Sequence, residues 1–336
     1  MKRRGDRRPV VGITMGDAAG IGPEVIVKAL MVKKSCDLCR PLIIGDRGIM
    51  ERAAAVVKAP LTVRGIGNAR EAHFVYGTLD VLDLKNLPPD LPFAQVDARA
   101  GRAAYEYVEK AVRLAMDGEL DAVTTAPLNK EALKAGGCSF PGHTEILASL
   151  SGTRDFSMLL LSKELKVIHV STHVSVRKAC DLVKKERILR VIALADEALK
   201  RFGIASPRIA VAGLNPHAGE GGLFGTEDAE EILPAIEQAK ARGIDATGPV
   251  PPDTVFFRAA RRREFDIVVV MYHDQGHIPL KLRGFEEGVN VTVGLPFVRT
   301  SVDHGTAFDI AGKGTADCRS MTAAIRAAAT MARSGK

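Results

Sequence analysis

Short runs of consecutive apolar residues alternate along the chain with longer stretches in which apolar residues recur every three or four positions. The short runs predict strands at 10–15, 41–44, 122–125, 166–171, 208–213 and 266–272. Most are apolar at successive positions, which is typical of parallel strands covered on both faces. The longer stretches predict helices at 100–116, 186–202 and 229–242. This alternation indicates an α/β fold with mainly parallel sheets.

Length and composition are sufficient for a large core divided into two lobes. The chain has 336 residues, of which 46% are hydrophobic. Because the sequence has no low-complexity linker, we expect the boundaries to pass through ordered segments near Pro127 and Pro296. The predicted organisation is a basic tail at 1–9, a first α/β lobe at 10–127 plus 297–336, and a second α/β lobe at 128–296.

The net charge of +7 is unevenly distributed. Five basic residues and Asp6 give the first eight positions a charge of +4 and leave +3 for the rest. With four Tyr and no Trp, the rest of the chain, which is nearly balanced in charge, offers few stacking surfaces for bases, so we expect no nucleic-acid partner.

The apolar runs are strand-sized, which predicts no membrane span. The N-terminus lacks the apolar segment of a secretory signal, and five scattered cysteines are not a disulfide framework, so a cytoplasmic location is expected.

Three of the predicted strands are followed within a few residues by a histidine: His173, His217 and His273. In open parallel sheets, ligands bind at the carboxyl ends of the strands. Three neutral imidazoles there could hold one divalent metal with positions left open for a substrate. The alternative for each is a histidine that only caps a loop.

Small neighbours around His217 and His273 favour the metal hypothesis, because they leave room for a ligand. His73, His169 and His277 lack such neighbours and are predicted to be structural. His304 lies in a glycine-flanked loop, and both readings stay open for it.

Anion-binding candidates come from two regions. His143 and Thr144 follow Pro-Gly and could open a helix whose free N–H groups receive a phosphate, although an ordinary helix cap explains the same pattern. Lys281, Asn290 and Arg299 follow at intervals without periodic meaning, so their pattern alone would assign them to the surface.

Two further motifs suggest no function. The glycine-rich loop at 16–24 is neither a Walker A loop nor a G-x-G-x-x-G fingerprint, so it does not predict a Rossmann fold. Cys36 and Cys39 have no second pair with which to complete a zinc site.

Several longer motifs, in order along the chain, resemble the 4-hydroxythreonine-4-phosphate dehydrogenase (PdxA) family. They are GDAAGIGPE at 16–24, TTAPLNK at 124–130, GHTE at 142–145, LNPHAGE at 214–220, PDT at 252–254, YHDQG at 272–276 and GLPFVRTSVDHGTA at 294–307. The resemblance extends from about Val10 to the C-terminus and leaves the basic tail outside it.

The resemblance implies a two-lobed α/β/α fold like that of isocitrate and isopropylmalate dehydrogenases, with NAD or NADP bound without a Rossmann fingerprint. It also implies a homodimer whose active site is shared, so that one histidine of the metal set can come from the second subunit. The implied metal ligands are His173, His217 and His273. The implied contacts to a phosphorylated substrate are His143, Thr144, Lys281, Asn290 and Arg299.

The implied reaction is metal-dependent oxidation and decarboxylation of a 4-phosphorylated four-carbon 3-hydroxy acid. Asp253, Asp274 and Lys281 are the candidate catalytic residues. The two carboxylates are candidates for proton transfer or ligand orientation, with loop capping as the alternative, and Lys281 supplies a point charge. The sequence does not choose between NAD and NADP, nor among zinc, magnesium, cobalt and manganese.

Pro141 and His277 make the chain more similar to the relatives acting on 4-phospho-D-threonate or 4-phospho-D-erythronate than to the vitamin-pathway enzyme acting on 4-phosphohydroxy-L-threonine. The presence of His143, Thr144, Lys281 and Arg299 argues for a phosphorylated substrate and against the branch that oxidises an unphosphorylated dihydrodiol dicarboxylate. A metal-dependent hydrolase and a catalytically silent ligand-binding protein are the rival functional classes.

Overall fold

A computed structural model describes residues 6–284 and 287–334. The first five positions of the predicted basic tail, with Lys2, Arg3 and Arg4, lie outside the described residues. The rest of the tail packs on the fold: Arg8 donates to the Asp6 carboxylate (2.7 Å, Nη2 to Oδ2) and to the Cys36 carbonyl. Among the described helices, none has the length and apolar character needed to cross a membrane.

The elements follow one another in this order: β1 (Val10–Thr14), α1 (Gly22–Met31), α2 (Lys33–Leu38), β2 (Arg40–Gly45), α3 (Arg47–Val56), β3 (Thr62–Ile66), β4 (Thr78–Asp83), α4 (Ala98–Met116), β5 (Ala122–Thr125), α5 (Lys130–Ala135), α6 (His143–Leu150), β6 (Ser157–Leu161), β7 (Lys166–His169), α7 (Val176–Asp181), α8 (Lys185–Arg201), β8 (Ile209–Ala212), α9 (Leu233–Ala241), β9 (Ala246–Val250), α10 (Pro252–Ala260), β10 (Ile267–Val270), α11 (His273–Gly284), β11 (Val289–Val293), β12 (Val298–Val302) and α12 (Arg319–Ser334).

The chain forms two compact units. The described part of the first comprises residues 6–154 and 295–334. Its strands are ordered β3-β4-β2-β1-β5-β12 and pair in parallel throughout. Val11 and Ile13 of β1 are completely buried, as the unbroken apolar pattern of a parallel strand predicts.

The second unit comprises residues 155–284 and 287–294. Its strands are ordered β11-β6-β7-β10-β8-β9, with β6 antiparallel to both β11 and β7 and the others parallel. Val167, Ala210 and Val268 form the centre of its core together with Leu280 of α11. Because β7, β8 and β10 are parallel, the loops that carry the candidate histidines all leave the same edge of this sheet.

The α/β class with mostly parallel pairing is confirmed, but the unit boundaries differ from those expected. The first division falls between Arg154 and Asp155 instead of after position 127. The reason is that α5 and α6 both pack against α4 of the first unit. The second division falls between Gly294 and Leu295, two residues from the expected point. The helix expected at 229–242 begins with a π-helical turn, Asp228–Ile232, before α9.

Candidate active site

Two of the candidate metal ligands lie side by side at the carboxyl edge of the second unit. His173 follows β7 and His273 is the first residue of α11, directly after β10. Because β7 and β10 are adjacent parallel strands, their ends bring the two imidazoles together, with ring centroids 5.8 Å apart. Both rings line a cavity of about 380 Å³ formed by residues 172–176, 179 and 272–274.

Asp274 orients the His273 ring. Its Oδ1 lies 2.7 Å from His273 Nδ1, and a carboxylate accepts hydrogen bonds, so Nδ1 is the protonated nitrogen. The Nε2 lone pair is then available to a metal, an arrangement common in histidine metal sites. Gln275 fixes this end of α11, because it accepts from the Met271 N–H (2.6 Å) and donates to the Gly213 carbonyl (2.8 Å).

Two further histidines extend this pair into the core of the second unit. The His277 ring stacks on His273, with centroids 3.6 Å apart and planes inclined by 10°, and His277 Nδ1 donates to the His273 carbonyl (3.0 Å). Behind it lies His169, which is completely buried, with its ring centroid 4.8 Å from that of His277. Burial lowers the pKa of His277 to about 4 and that of His169 to about 3. Both rings are therefore neutral at pH 7. His277, expected to be structural only, directly contacts a candidate ligand.

The third candidate, His217, lies in a loop with unusual backbone geometry. His217, Ala218 and Glu220 all have positive φ, at 53°, 55° and 41°, a region that L-residues other than glycine seldom adopt. The buried carboxylate of Asp228 anchors the loop by accepting from the N–H groups of Leu214 (2.9 Å) and Asn215 (3.1 Å). Nothing in the sequence identified Asp228 as this anchor.

The strand pattern alone suggested that His173, His217 and His273 converge within one chain. The structure does not show this convergence. No group of three or more His, Cys, Asp or Glu side chains that could hold a metal occurs in the part of the chain that is described. The pair His173 and His273 fits a metal in its donor chemistry, and the described residues place no third His, Cys, Asp or Glu ligand with it.

The other predicted residues of the second unit occupy separate positions. Asp253 is exposed in the first turn of α10, where a negative charge also stabilises a helix N-terminus. Lys281 is half-buried on α11. Asn290 lies on β11 opposite Leu160, and its buried Oδ1 has no hydrogen-bond partner among the described residues.

In the first unit, Arg299 is a buried cation. It lies on β12 with 2% of its surface exposed, and its Nη2 donates to Thr125 Oγ1 at 2.7 Å. Burial lowers its pKa to about 9, an effect opposed by the charge of Glu145. A buried guanidinium is a strong binding partner for an anion, because its fork matches phosphate or carboxylate oxygens. The expectation from spacing alone, a surface charge, is wrong for this residue.

His143 and Thr144 are the first two residues of α6, as the helix-start pattern predicted. Gly142 at the N-cap has no side chain, so no side-chain hydrogen bond caps the first turn, and its N–H groups remain available. Burial and the Arg299 charge hold the pKa of His143 well below its usual range. The buried His143 Nε2 has no partner among the described residues. These residues and Arg299 have the properties of an anion site.

Every residue of the glycine-rich loop at 16–24 is buried. A Cβ on Gly16 would lie 2.3 Å from the Pro127 carbonyl oxygen, and one on Gly22 would lie 2.5 Å from that of Met15. The glycines therefore permit close backbone packing. Cys39 is likewise buried, which raises the pKa of its thiol to about 12 and keeps it protonated.

Known proteins similar to this chain are named as dehydrogenases of D-threonate 4-phosphate or of 4-hydroxythreonine 4-phosphate. The family described as pyridoxal phosphate biosynthetic protein PdxA matches residues 37–328. The D-threonate 4-phosphate dehydrogenase of Cupriavidus necator is 55% identical over 328 residues, 97% of this chain and 98% of that protein. The enzyme of the same name from Salmonella typhimurium is 51% identical over 324 residues, 96% of this chain and 98% of that protein. A crystal structure of a 4-hydroxythreonine-4-phosphate dehydrogenase from Burkholderia phymatum has 53% identity and a TM-score of 0.87, covering 97% of this chain and 99% of the other.

Proposed function

Since the chain belongs to the PdxA family, we propose that this dehydrogenase, an oxidoreductase acting on a CH–OH group, oxidises and decarboxylates D-threonate 4-phosphate with NAD or NADP as acceptor. The identity of 55% to the Cupriavidus necator enzyme of that name carries the substrate assignment. Pro141 and His277, by which the chain resembles the relatives acting on 4-phospho-D-threonate or 4-phospho-D-erythronate, support it. The Burkholderia phymatum structure, at 53% identity, makes 4-hydroxythreonine 4-phosphate the substrate to compare.

For the metal, we propose His173 and His273 as ligands from one subunit and His217 from the second subunit of a homodimer. The first two are supported by their adjacent rings and the third by its exposed position in a loop held by Asp228. Imidazole ligands favour zinc or cobalt over magnesium. A divalent ion bound there would supply Lewis acidity toward a substrate oxygen.

For the phosphate, we propose that Arg299, His143 and Thr144 act from the first unit. Arg299 would donate through its guanidinium fork and α6 through the N–H groups of its first turn. Lys281 and Asn290 are proposed as further contacts to the substrate, through the Lys281 ammonium group and the Asn290 amide N–H groups.

The carboxylates take different roles. Because Asp274 is hydrogen-bonded to His273, we propose it as the residue that orients this ligand. Asp253, which is exposed and not part of such a pair, is the proposed proton-transfer residue, with helix capping as its alternative role.

The experiment is a comparison of kcat/KM for NADH formation at 340 nm. The substrates are D-threonate 4-phosphate, D-erythronate 4-phosphate and 4-hydroxy-L-threonine 4-phosphate, each with added Co²⁺ or Zn²⁺. The proposal expects the first to be preferred by at least about tenfold, a difference of about 1.4 kcal/mol in transition-state binding. Comparable values for all three would contradict the substrate assignment. Phosphate release without NADH would instead support a hydrolase.

A further inference from the structure

A second cavity lies at the opposite edge of the second unit, at the amino ends of β7, β8 and β10. Its volume is about 510 Å³, within the usual range for small-molecule sites. Lys166 is the first residue of β7, while Arg208 and Asp266 directly precede β8 and β10. These strands have four residues each, so roughly 13 Å of strand separates this cavity from the histidine edge.

The charge of this cavity, which we call the basic pocket, is strongly positive. Its lining contains five cations and two carboxylates, a net charge of +3; the cations are Lys163, Lys166, Arg208, Arg261 and Arg263. Both carboxylates already have arginine partners. Asp266 pairs with Arg208 at 3.1 Å, and Glu164 pairs with Arg283.

The remaining four cations are left without such partners. In the described ranges, no carboxylate oxygen lies within 4.0 Å of Lys163, Lys166, Arg261 or Arg263. Like charges gathered around one concave surface repel one another, and an anion placed among them removes that repulsion.

Lys166 is the most informative of these cations because it is half-buried beside an apolar floor. The accessible part of this floor consists of Ala260 and Phe265, which are half-buried. Burial lowers the pKa of Lys166, an effect opposed by the charge of Asp266. Placing an ammonium group there is costly unless a counter-charge joins it.

We propose that the basic pocket binds a small organic phosphate with at least two negative charges. Its phosphoryl oxygens accept from Lys166, Arg261 and Arg263, and its carbon skeleton lies on the apolar floor. The cavity volume is sufficient for a nucleoside diphosphate. None of the residues lining this pocket is among the proposed substrate-binding residues, and the proposal does not depend on the proposed reaction.

The test uses ADP and inorganic pyrophosphate as probes in calorimetric titrations of the full-length protein. The pocket variant is Lys166→Gln/Arg261→Gln/Arg263→Gln. The control, Arg201→Gln/Lys240→Gln/Arg242→Gln, removes the same charge from exposed positions of the same unit. Thermal unfolding and turnover of D-threonate 4-phosphate show whether each variant is folded, since none of these residues is assigned to the reaction.

We expect wild type and control to bind ADP with the same affinity, and the pocket variant to bind it at least about tenfold more weakly, because charge-assisted hydrogen bonds to phosphate are lost. Pyrophosphate should bind the pocket more weakly than ADP, because it lacks a part that contacts the apolar floor. Three outcomes would overturn the proposal: no ADP binding to wild type at low millimolar concentration, equal binding by pocket variant and wild type, or equal losses in pocket variant and control. Equal affinity for ADP and pyrophosphate would refute the proposal that the carbon skeleton of the ligand contacts the apolar floor.

Discussion

The buried carboxyl group of Asp17 should make the stability of the first unit depend on pH in a specific direction. Asp17 is completely buried. Its Oδ1 accepts from the Ala19 N–H at 2.8 Å, while its Oδ2 has no hydrogen-bond partner among the described residues. Burial raises the pKa of Asp17 from 3.8 to about 6. The perturbation we choose is Asp17→Asn, which keeps an oxygen for the Ala19 bond and removes the titration.

The sign follows from the raised pKa. Between pH 3.8 and about 6 the folded protein holds a proton that the unfolded chain has released, so stability falls as pH rises through this interval and levels off above pH 7. A shift of about 2 pKa units corresponds to about 3 kcal/mol in total, at roughly 1.4 kcal/mol per unit. About half of this loss falls between pH 5 and pH 8.

The assay is urea unfolding of wild type and Asp17→Asn at pH 5 and pH 8, with Asp309→Asn as the control because Asp309 is exposed in the same unit. The contributions of other titrating groups to the pH dependence of stability cancel when the variants are compared. We expect the free energy of unfolding of Asp17→Asn to improve relative to wild type by about 1.5 kcal/mol from pH 5 to pH 8. A relative stability that does not change with pH, or that changes equally in Asp309→Asn, would refute the reasoning.

Three further predictions concern the candidate site. His277→Leu should weaken Co²⁺ binding, measured from the visible spectrum, by about tenfold. His277→Phe should retain most of the Co²⁺ affinity, because a flat ring still stacks on His273. Equal Co²⁺ binding by the two variants would contradict this prediction. Asp274→Asn should lower Co²⁺ affinity by about tenfold, and unchanged affinity would remove its orienting role. Arg299→Met should lower kcat/KM by about 100-fold, because it removes the guanidinium group proposed to bind the phosphate; an unchanged kcat/KM would exclude this role.

The histidine pair shows how much the sequence could predict. Apolar runs followed by His173 and His273 placed both residues at strand ends, and parallel pairing of β7 and β10 brings them together. The stacking of His277 on His273 could have been predicted from their spacing, since residues four positions apart share a helix face. Because α11 was not recognised as a helix, the signal was missed.

Other features depend on tertiary packing that local patterns do not report. Arg299 is a charged residue in a short strand, and only the placement of β12 beside β5 buries it against Thr125. The assignment of α5 and α6 to the first unit reflects their packing on α4. The positive φ values of the His217 loop are maintained through Asp228, a contact that is not visible in the spacing of residues.

The reaction proposed for this protein is the oxidation and decarboxylation of D-threonate 4-phosphate. The most direct test incubates the metal-loaded enzyme with this substrate labelled with ¹³C at the carboxyl carbon, and measures NADH and labelled CO₂ in the same reaction. We expect both to form in equal amounts, and neither to form with His273→Ala. NADH without labelled CO₂, or inorganic phosphate as the only product, would contradict it.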